Sequence, residues 1–200
     1  MITLHQKGFS LLEILIAVAI IGILASVVIT SISGATESAR VSKAGFHQRQ
    51  MTKATELYYA DMGFYPPDVN RGWDPGFEES LPWNPDEGTA EPPSGSYVNP
   101  GTNCNHCPSD WEDIVAAQWN GPYMTWPQFT PWDGKYDYNY WGSGANRSGC
   151  SVPPGIYAGV QPNYAGENGI PLKAEEKMVV EGFDHEACLN SESQMLLREL

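Results

Sequence analysis

Glu13 is a carboxylate set into apolar sequence. Phe9-Ser10-Leu11-Leu12 precedes it and an almost unbroken apolar run from Ile14 to Ile29 follows. A charge placed there costs on the order of 3 kcal/mol in a membrane even by lenient insertion scales, so the residue points to function. Its chemistry is ion pairing. A lone carboxylate in an apolar bundle is uncompensated, and a register in which another chain brings a cation alongside is rewarded. Just upstream, a polar leader ends in Lys7-Gly8.

The second group that could do chemistry is sulfur and imidazole. Cys104-x-x-Cys107 encloses His106, His185-x-x-Cys188 follows much later, and Cys150 stands alone between them. Four cysteines allow three disulfide pairings. The competing chemistry is a metal site in which both pairs supply ligands, leaving Cys150 over. A redox role for Cys104-x-x-Cys107 lacks the strand-to-helix context of a thioredoxin-like site. A third group is oxygen-rich: Asp133, Asp137 and Asn139 are candidate calcium ligands, although Asp133-Gly134-Lys135-Tyr136-Asp137 is not an EF-hand pattern. Turn and outward-facing strand residues are the plainer reading of those three. No nucleophile elbow, phosphate loop or Ser/His/Asp set is present, so the chain reads as a non-enzyme.

These groups need elements to hold them. From Phe9 to about Tyr59 there is no proline, and glycine occurs only at 22, 34 and 45, which predicts one long helix of roughly 75 Å. No small domain covers that length. Its first half, 9–32, must lie in a membrane or against identical helices. Its second half offers Ala35, Ala39, Phe46, Ala54, Leu57 and Tyr58 as apolar positions to pack on a head. Tyr65-Pro66 is expected to end the helix, because proline cannot continue one.

All 16 prolines and all seven tryptophans follow residue 65, so the head, 61–200, is rich in turns and aromatics. Residues 66–108 read as long loop. A short helix is expected from Ser109, whose spacing to Glu112 fits a capping box. Strands are expected at Tyr136–Tyr140, Gly155–Val160 and Lys177–Phe183, and a last amphipathic turn at Ser191–Leu200, with Ser191 and Gln194 again at capping-box spacing. The fold class is α+β, a long N-terminal helix with a protruding hydrophobic half packed on a small antiparallel sheet with long loops.

Charge excludes one class of partner. Residues 34–57 carry a net charge of +2, whereas 58–200 hold six basic and 21 acidic residues, a net of −15. An acidic head repels phosphate, so nucleic acid is an unfavourable partner. The seven tryptophans leave open a sugar- or substrate-binding head. An exposed cluster at Trp73 and Trp83 would favour it; core packing accounts for most of the aromatics without it.

The leader Lys7-Gly8-Phe9-Ser10-Leu11-Leu12-Glu13 resembles the type IV pilin and type II secretion pseudopilin family. Asp61-x-Gly63-x-Tyr65-Pro66, Trp119-x-Gly121-Pro122-Tyr123 and Pro131-Trp132-x-x-x-Tyr136-x-Tyr138 are most similar to the major G-type pseudopilin. The leader and these motifs cover about half of the chain. An ordinary secretory signal peptide cut near Ala35 is the alternative for the leader, but signal cores are free of charge and Glu13 is not. A plain single-pass anchor is the other, and Ile14–Ile29 is slightly short for it.

The resemblance implies a prepilin leader, 1–8, removed by a prepilin peptidase between Gly8 and Phe9, with methylation of Phe9. It implies a single pass of the cytoplasmic membrane before assembly, with the head outside the cytoplasm. An assembly ATPase and an inner-membrane platform then draw the chain into a helical homopolymer, with minor pilins as further partners. The result is a cell-surface or periplasmic filament in which Glu13 pairs with the Phe9 amine of a neighbour. A tip or adhesin subunit is the alternative. Outside the cytoplasm cysteines are usually oxidised. The expected pairing is Cys104–Cys107 with Cys150–Cys188, the latter closing a loop of about 40 residues with a nominal ~3–4 kcal/mol of stabilisation. The chain departs from the major pseudopilin by insertions at about 71–108 and an unfamiliar end from Cys150. It has Thr30 where many members carry proline.

Overall fold

The computed structural model describes residues 9–69, 71–85, 104, 106–147, 150–160, 170–182 and 196–200. Helix α1 runs from Leu11 to Met62, unbroken through Ser33 and Gly34. The chain divides into two compact units, Met1–Ala39 and Arg40–Leu200, and α1 contributes to both.

In the first unit α1 is apolar on every side, and its described side chains from Leu11 to Val28 are all exposed. A helix hydrophobic all round is suited to apolar surroundings rather than to water. Among the described residues it is the one helix long and apolar enough to cross a membrane.

In the second unit the same helix has one inward face. Val41, Ala44, Gln48, Met51, Thr55, Tyr58 and Met62 recur at alternating intervals of three and four, and all are buried. Ala54 and Tyr58 pack inward as expected, but Phe46 and Leu57 are exposed, as are Ala35 and Ala39 in the first unit. The expectation followed residue type where helical spacing decides: Phe46 and Leu57 lie on the side opposite the inward row. Gly63 ends the helix before Pro66 is reached. Its φ is +77°, a left-handed conformation that glycine tolerates, and its N–H donates to the Tyr59 carbonyl at 2.8 Å.

Helix α2 (Trp111–Gln118) starts two residues later than expected. Asp110 is its N-cap, and no side-chain cap hydrogen bond forms, so Ser109 and Glu112 do not make a capping box. Strand β1 (Asp137–Trp141) pairs antiparallel with β4 (Gly155–Val160), which pairs on its other side with β5 (Leu196–Glu199), giving the order β1-β4-β5. A second ribbon, β2 (Ala145–Arg147) with β3 (Cys150–Val152), has no counterpart in the sequence reading.

Two expectations are corrected. Lys177–Val180, the start of the strand expected at Lys177–Phe183, is instead the end of helix α3 (Leu172–Val180), because Ala174 and Met178, four apart, bury one face while Lys173 and Glu176 face solvent; Phe183 lies outside the described residues. Of the last turn expected at Ser191–Leu200, residues 191–195 with both capping-box residues lie outside the described residues, and Leu196–Glu199 form β5 rather than a helical turn, because the free edge of β4 takes up their backbone groups; Leu200 N–H also donates to the Ile156 carbonyl at 2.8 Å.

Tyr58 is central to the second unit. Its ring meets Phe64, Phe77 and Tyr123 edge-on at centroid distances of 6.1, 6.4 and 5.9 Å, and Phe77 meets Tyr138 of β1 at 5.7 Å.

Candidate functional site

The described N-terminal segment holds Phe9 and Glu13 of the four residues expected to act in processing and assembly; Lys7 and Gly8 lie outside the described residues. Phe9 is exposed. Glu13 sits in the first turn of α1, where its Oε2 accepts the Ser10 N–H at 2.8 Å and the Ser10 hydroxyl at 2.9 Å. Glu13 N–H in turn donates to Ser10 Oγ at 3.3 Å. The exchange is a reciprocal capping box, and it satisfies donors that a helix start leaves orphaned. The sequence carries the signal plainly as Ser10-x-x-Glu13, yet the apolar setting drew attention to the charge and away from its local partner. Glu13 thus has two available roles, closing its own helix and meeting a cation from elsewhere. It is the sole charged residue from Phe9 to Thr36.

The sulfur group forms a clip at the far end of the inserted region. Cys104 and Cys107 are joined in a disulfide with Cα atoms 5.2 Å apart. Between them His106 stacks on Tyr140 of β1, centroids 3.6 Å apart and planes 14° from parallel. Its Nε2 lies 3.2 and 3.0 Å from the carbonyl oxygens of Tyr65 and Pro66, to which it donates in the Nε2–H tautomer. Burial holds this imidazole below its usual pKa, against the opposing pull of those two carbonyls. The donor atoms of Cys104, His106 and Cys107 lie within 4.8 Å of one another, but two of them are consumed by the disulfide, so this cluster is a covalent clip and not a ligand set. Cys150 opens β3; Cys188 and His185 lie outside the described residues, and so does the pairing of Cys150 with Cys188.

The oxygen group is dispersed over a turn and a strand. Asp133 is exposed at φ +63° in a turn where Thr130 Oγ1 accepts the N–H groups of Trp132 and Gly134. Asp137 and Asn139 are buried at alternate positions of β1, so the outward-facing role expected of them is not the one they take.

Asp74 is an acid that sequence reasoning missed. It is fully buried, and its carboxylate accepts the N–H groups of Phe77, Glu78 and Glu79 at 2.9, 3.0 and 3.1 Å. Its backbone pairs with that of Trp83. Burial pushes its pKa up to about 7 despite the three N–H donors, with Glu78 adding to the rise. Around this knot Trp119 Nε1 donates to Gly76 O at 3.1 Å, Trp126 N–H to Glu78 Oε2 at 2.9 Å, and the Tyr123 hydroxyl to Asp61 Oδ2 at 2.8 Å. Residues 71–85 are therefore stitched into the head. All seven tryptophans are buried or half-buried, including Trp73 and Trp83, so no exposed indole cluster exists to recognise a sugar.

Comparison with known proteins bears on the same residues. The prokaryotic N-terminal methylation motif matches residues 3–29, which include Lys7, Gly8, Phe9 and Glu13. The type II secretion system core protein G of Aeromonas hydrophila is 30% identical over 120 residues, which cover 60% of this chain and 72% of that protein. The chain belongs to the type IV pilin and type II secretion pseudopilin family. The core protein G of Escherichia coli K12 is 39% identical over 67 residues, 34% of this chain and 46% of that protein. The type IV major pilin PilE of Neisseria gonorrhoeae is 40% identical over 63 residues, 32% of this chain and 38% of that pilin. The chain spans less than half the length of the gonococcal major pilins it matches, from 28% to 49%. No solved structure matches it. In this member of the family the clip and the Asp74 knot are built on a long helix and a small antiparallel sheet.

Proposed function

We propose that this chain is a structural subunit of an extracytoplasmic helical filament, either a type IV pilus or a type II secretion pseudopilus, with no catalytic activity. The observation that carries the reading is α1 from Leu11 to Val28: apolar on every side, exposed, and charged only at Glu13. Such a surface is stable in lipid or bundled with copies of itself. The precursor passes the cytoplasmic membrane once with its head outside. A prepilin peptidase removes Met1–Gly8 and methylates Phe9, and the platform and assembly ATPase draw subunits into a polymer that includes minor pilins. A repeated heterologous contact that does not close gives an open helix. In it Glu13 trades its bond to Ser10 for the Phe9 amine of a neighbour, setting the axial register.

Intact mass of the protein from membranes and from sheared surface material tests the pathway. The expected result is loss of Met1–Gly8 plus one methyl group, with four hydrogens gained on reduction if both disulfides form. A cut near Ala35 would overturn it. Glu13→Ala is expected to be processed yet to yield no filaments; filaments at normal abundance would remove the register role.

A further inference from the structure

We propose that the Cys104–Cys107 clip, once its disulfide is reduced, becomes a site for one zinc ion, held by both thiolates and by His106 Nδ1 with water in the fourth position. It holds whether or not the chain forms filaments. Cys104-x-x-Cys107 has the spacing of a zinc-ligand pair. The donor atoms of Cys104, His106 and Cys107 lie within 4.8 Å of one another in half-buried side chains, so an ion and a water can reach them.

The imidazole is already set as a metal ligand. The Tyr65 and Pro66 carbonyls can only accept, so the contacts of His106 Nε2 to them at 3.2 and 3.0 Å place the ring proton on Nε2 and leave a lone pair on Nδ1. Metal-bound histidines are held in this way, with the far N–H given to a carbonyl or carboxylate. Stacking on Tyr140 fixes the plane of the ring. Tetrahedral zinc, bonded to sulfur at about 2.3 Å and to nitrogen at about 2.0 Å, sets those two atoms about 3.5 Å apart. Cys104 Sγ lies 3.6 Å from Nδ1 and 3.5 Å from Nε2, so that separation is already met. Only the two sulfurs must part, from one bond to about 3.8 Å. Two thiolates and an imidazole are soft donors that calcium and magnesium do not favour, and two thiolates cancel the charge of Zn²⁺, leaving no net charge in a half-buried site.

A dithiol donor opens the site: it gives two electrons and two protons to the Cys104–Cys107 bond and closes its own disulfide. The two thiols released lose their protons as they bind zinc. Disulfide and zinc are therefore alternatives at one place. A chain made in a reducing compartment holds the dithiol first, and zinc then fastens the clip to the carbonyls that follow α1 until a disulfide-donating oxidant outside takes the two electrons back and frees the ion.

The test reduces the full chain in detergent with dithiothreitol, removes the reductant without air, and titrates zinc(II) against a chromophoric chelator, with cobalt(II) as the spectroscopic probe. One zinc per reduced chain and none per oxidised chain are expected, with sulfur-to-cobalt charge-transfer bands and the strong visible bands of tetrahedral cobalt. X-ray absorption of the zinc form is expected to show two sulfurs and an imidazole nitrogen. Cys104→Ser should abolish binding, and His106→Phe, which keeps a ring on Tyr140, should weaken it more than about tenfold. No zinc retained, zinc held equally by the oxidised chain, or a shell of four sulfurs overturns the proposal without need of a variant. So does an unchanged affinity in His106→Phe, which leaves a bare dithiol, or loss of binding in Cys150→Ser rather than in Cys104→Ser, which moves the ion to the later cysteines.

Discussion

The two halves of α1 are one uninterrupted helix built for two different solvents. From Leu11 to Val28 it has no preferred face, and every side chain there is exposed. From Arg40 to Met62 it has a narrow inward row set by strict three-and-four spacing, and that row includes the polar Gln48 and Thr55. The difference shows that helix formation and helix placement are separate matters: the absence of proline makes the whole helix, while spacing of side chains decides which parts can be soluble. A consequence is that substitutions of equal chemistry have unequal effects in the two halves.

The sharpest break of that comparison is Tyr58→Ala against Ile21→Ala. Tyr58 loses edge contacts to three rings in a closed core, so the expected cost is about 3–5 kcal/mol. Ile21 is exposed, and its truncation is expected to change head stability by less than about 0.5 kcal/mol. Denaturant unfolding of the full chain in detergent, followed by tryptophan fluorescence, reads the head selectively because every tryptophan follows residue 65. Equal midpoints for the two variants would contradict the division.

Next in size is the pH dependence of the head, set by Asp74 and two histidines. Asp74 has a folded pKa of about 7, above its unfolded value, so between about pH 4 and 7 folding takes up a proton and stability falls as pH rises. His47, which shares a 3.0 Å hydrogen bond with the Tyr136 hydroxyl, and His106 are held below their usual pKa chiefly by burial. They act with the opposite sign: stability is lost as pH falls below about 6.5, where the unfolded imidazoles take up protons. Asp74→Asn removes the opposing contribution and keeps that of the histidines, so the unfolding midpoint is expected to rise by more between pH 5 and pH 7.5 than in the parent chain. An unchanged pH profile would mean that Asp74 does not titrate in this range.

What was legible in the sequence follows the same division. The first half of α1 could be read almost completely, because an apolar run with one carboxylate has few interpretations. The head could be read only where period two or a short apolar run is strong, as in β1 and β4. Where a segment's neighbours decide its structure, reading failed: Met178-Val179-Val180 favours a strand taken alone, yet Ala174 and Met178 bury one helical face, and the last residues become β5 because β4 offers an edge. The site was legible in residue identity and only partly in geometry. Glu13 stood out by its charge in an apolar run, and the Cys104–Cys107 bond was expected from the oxidising compartment that the resemblance implies, while the spacing of those cysteines also fitted a metal site. The clamp of His106 on Tyr65, Pro66 and Tyr140, and the knot at Asp74, join residues up to tens of positions apart, and no local pattern announces them.

The clip sharpens the comparison by a smaller amount. Cys104→Ser opens a four-residue loop, for which chain-entropy reasoning gives about 2 kcal/mol, and it frees His106 from the carbonyls that follow α1. The tryptophan-detected midpoint is expected to fall while helix content from 11 to 39 is retained. Cys107→Ser should match it, since each removes the same bond; a midpoint unchanged in both would show that the clip does not hold the folded head.

The smallest effect falls in the first half. Ser10→Ala removes the hydroxyl that both donates to Glu13 and accepts from its N–H, leaving the carboxylate only the backbone N–H of residue 10. Loss of a cap of this kind costs about 1 kcal/mol and acts on the first turn alone. In detergent, amide exchange of residues 11–14 is expected to quicken about fivefold, while the head's midpoint stays put. The variant also bears on Glu13 itself. If the capping bond competes with a neighbour's amine for the carboxylate, weakening it frees the carboxylate for that pairing, and filament yield should hold or rise even as the isolated helix frays. A fall in yield matching the fraying would instead mean that the closed first turn is what the neighbour binds.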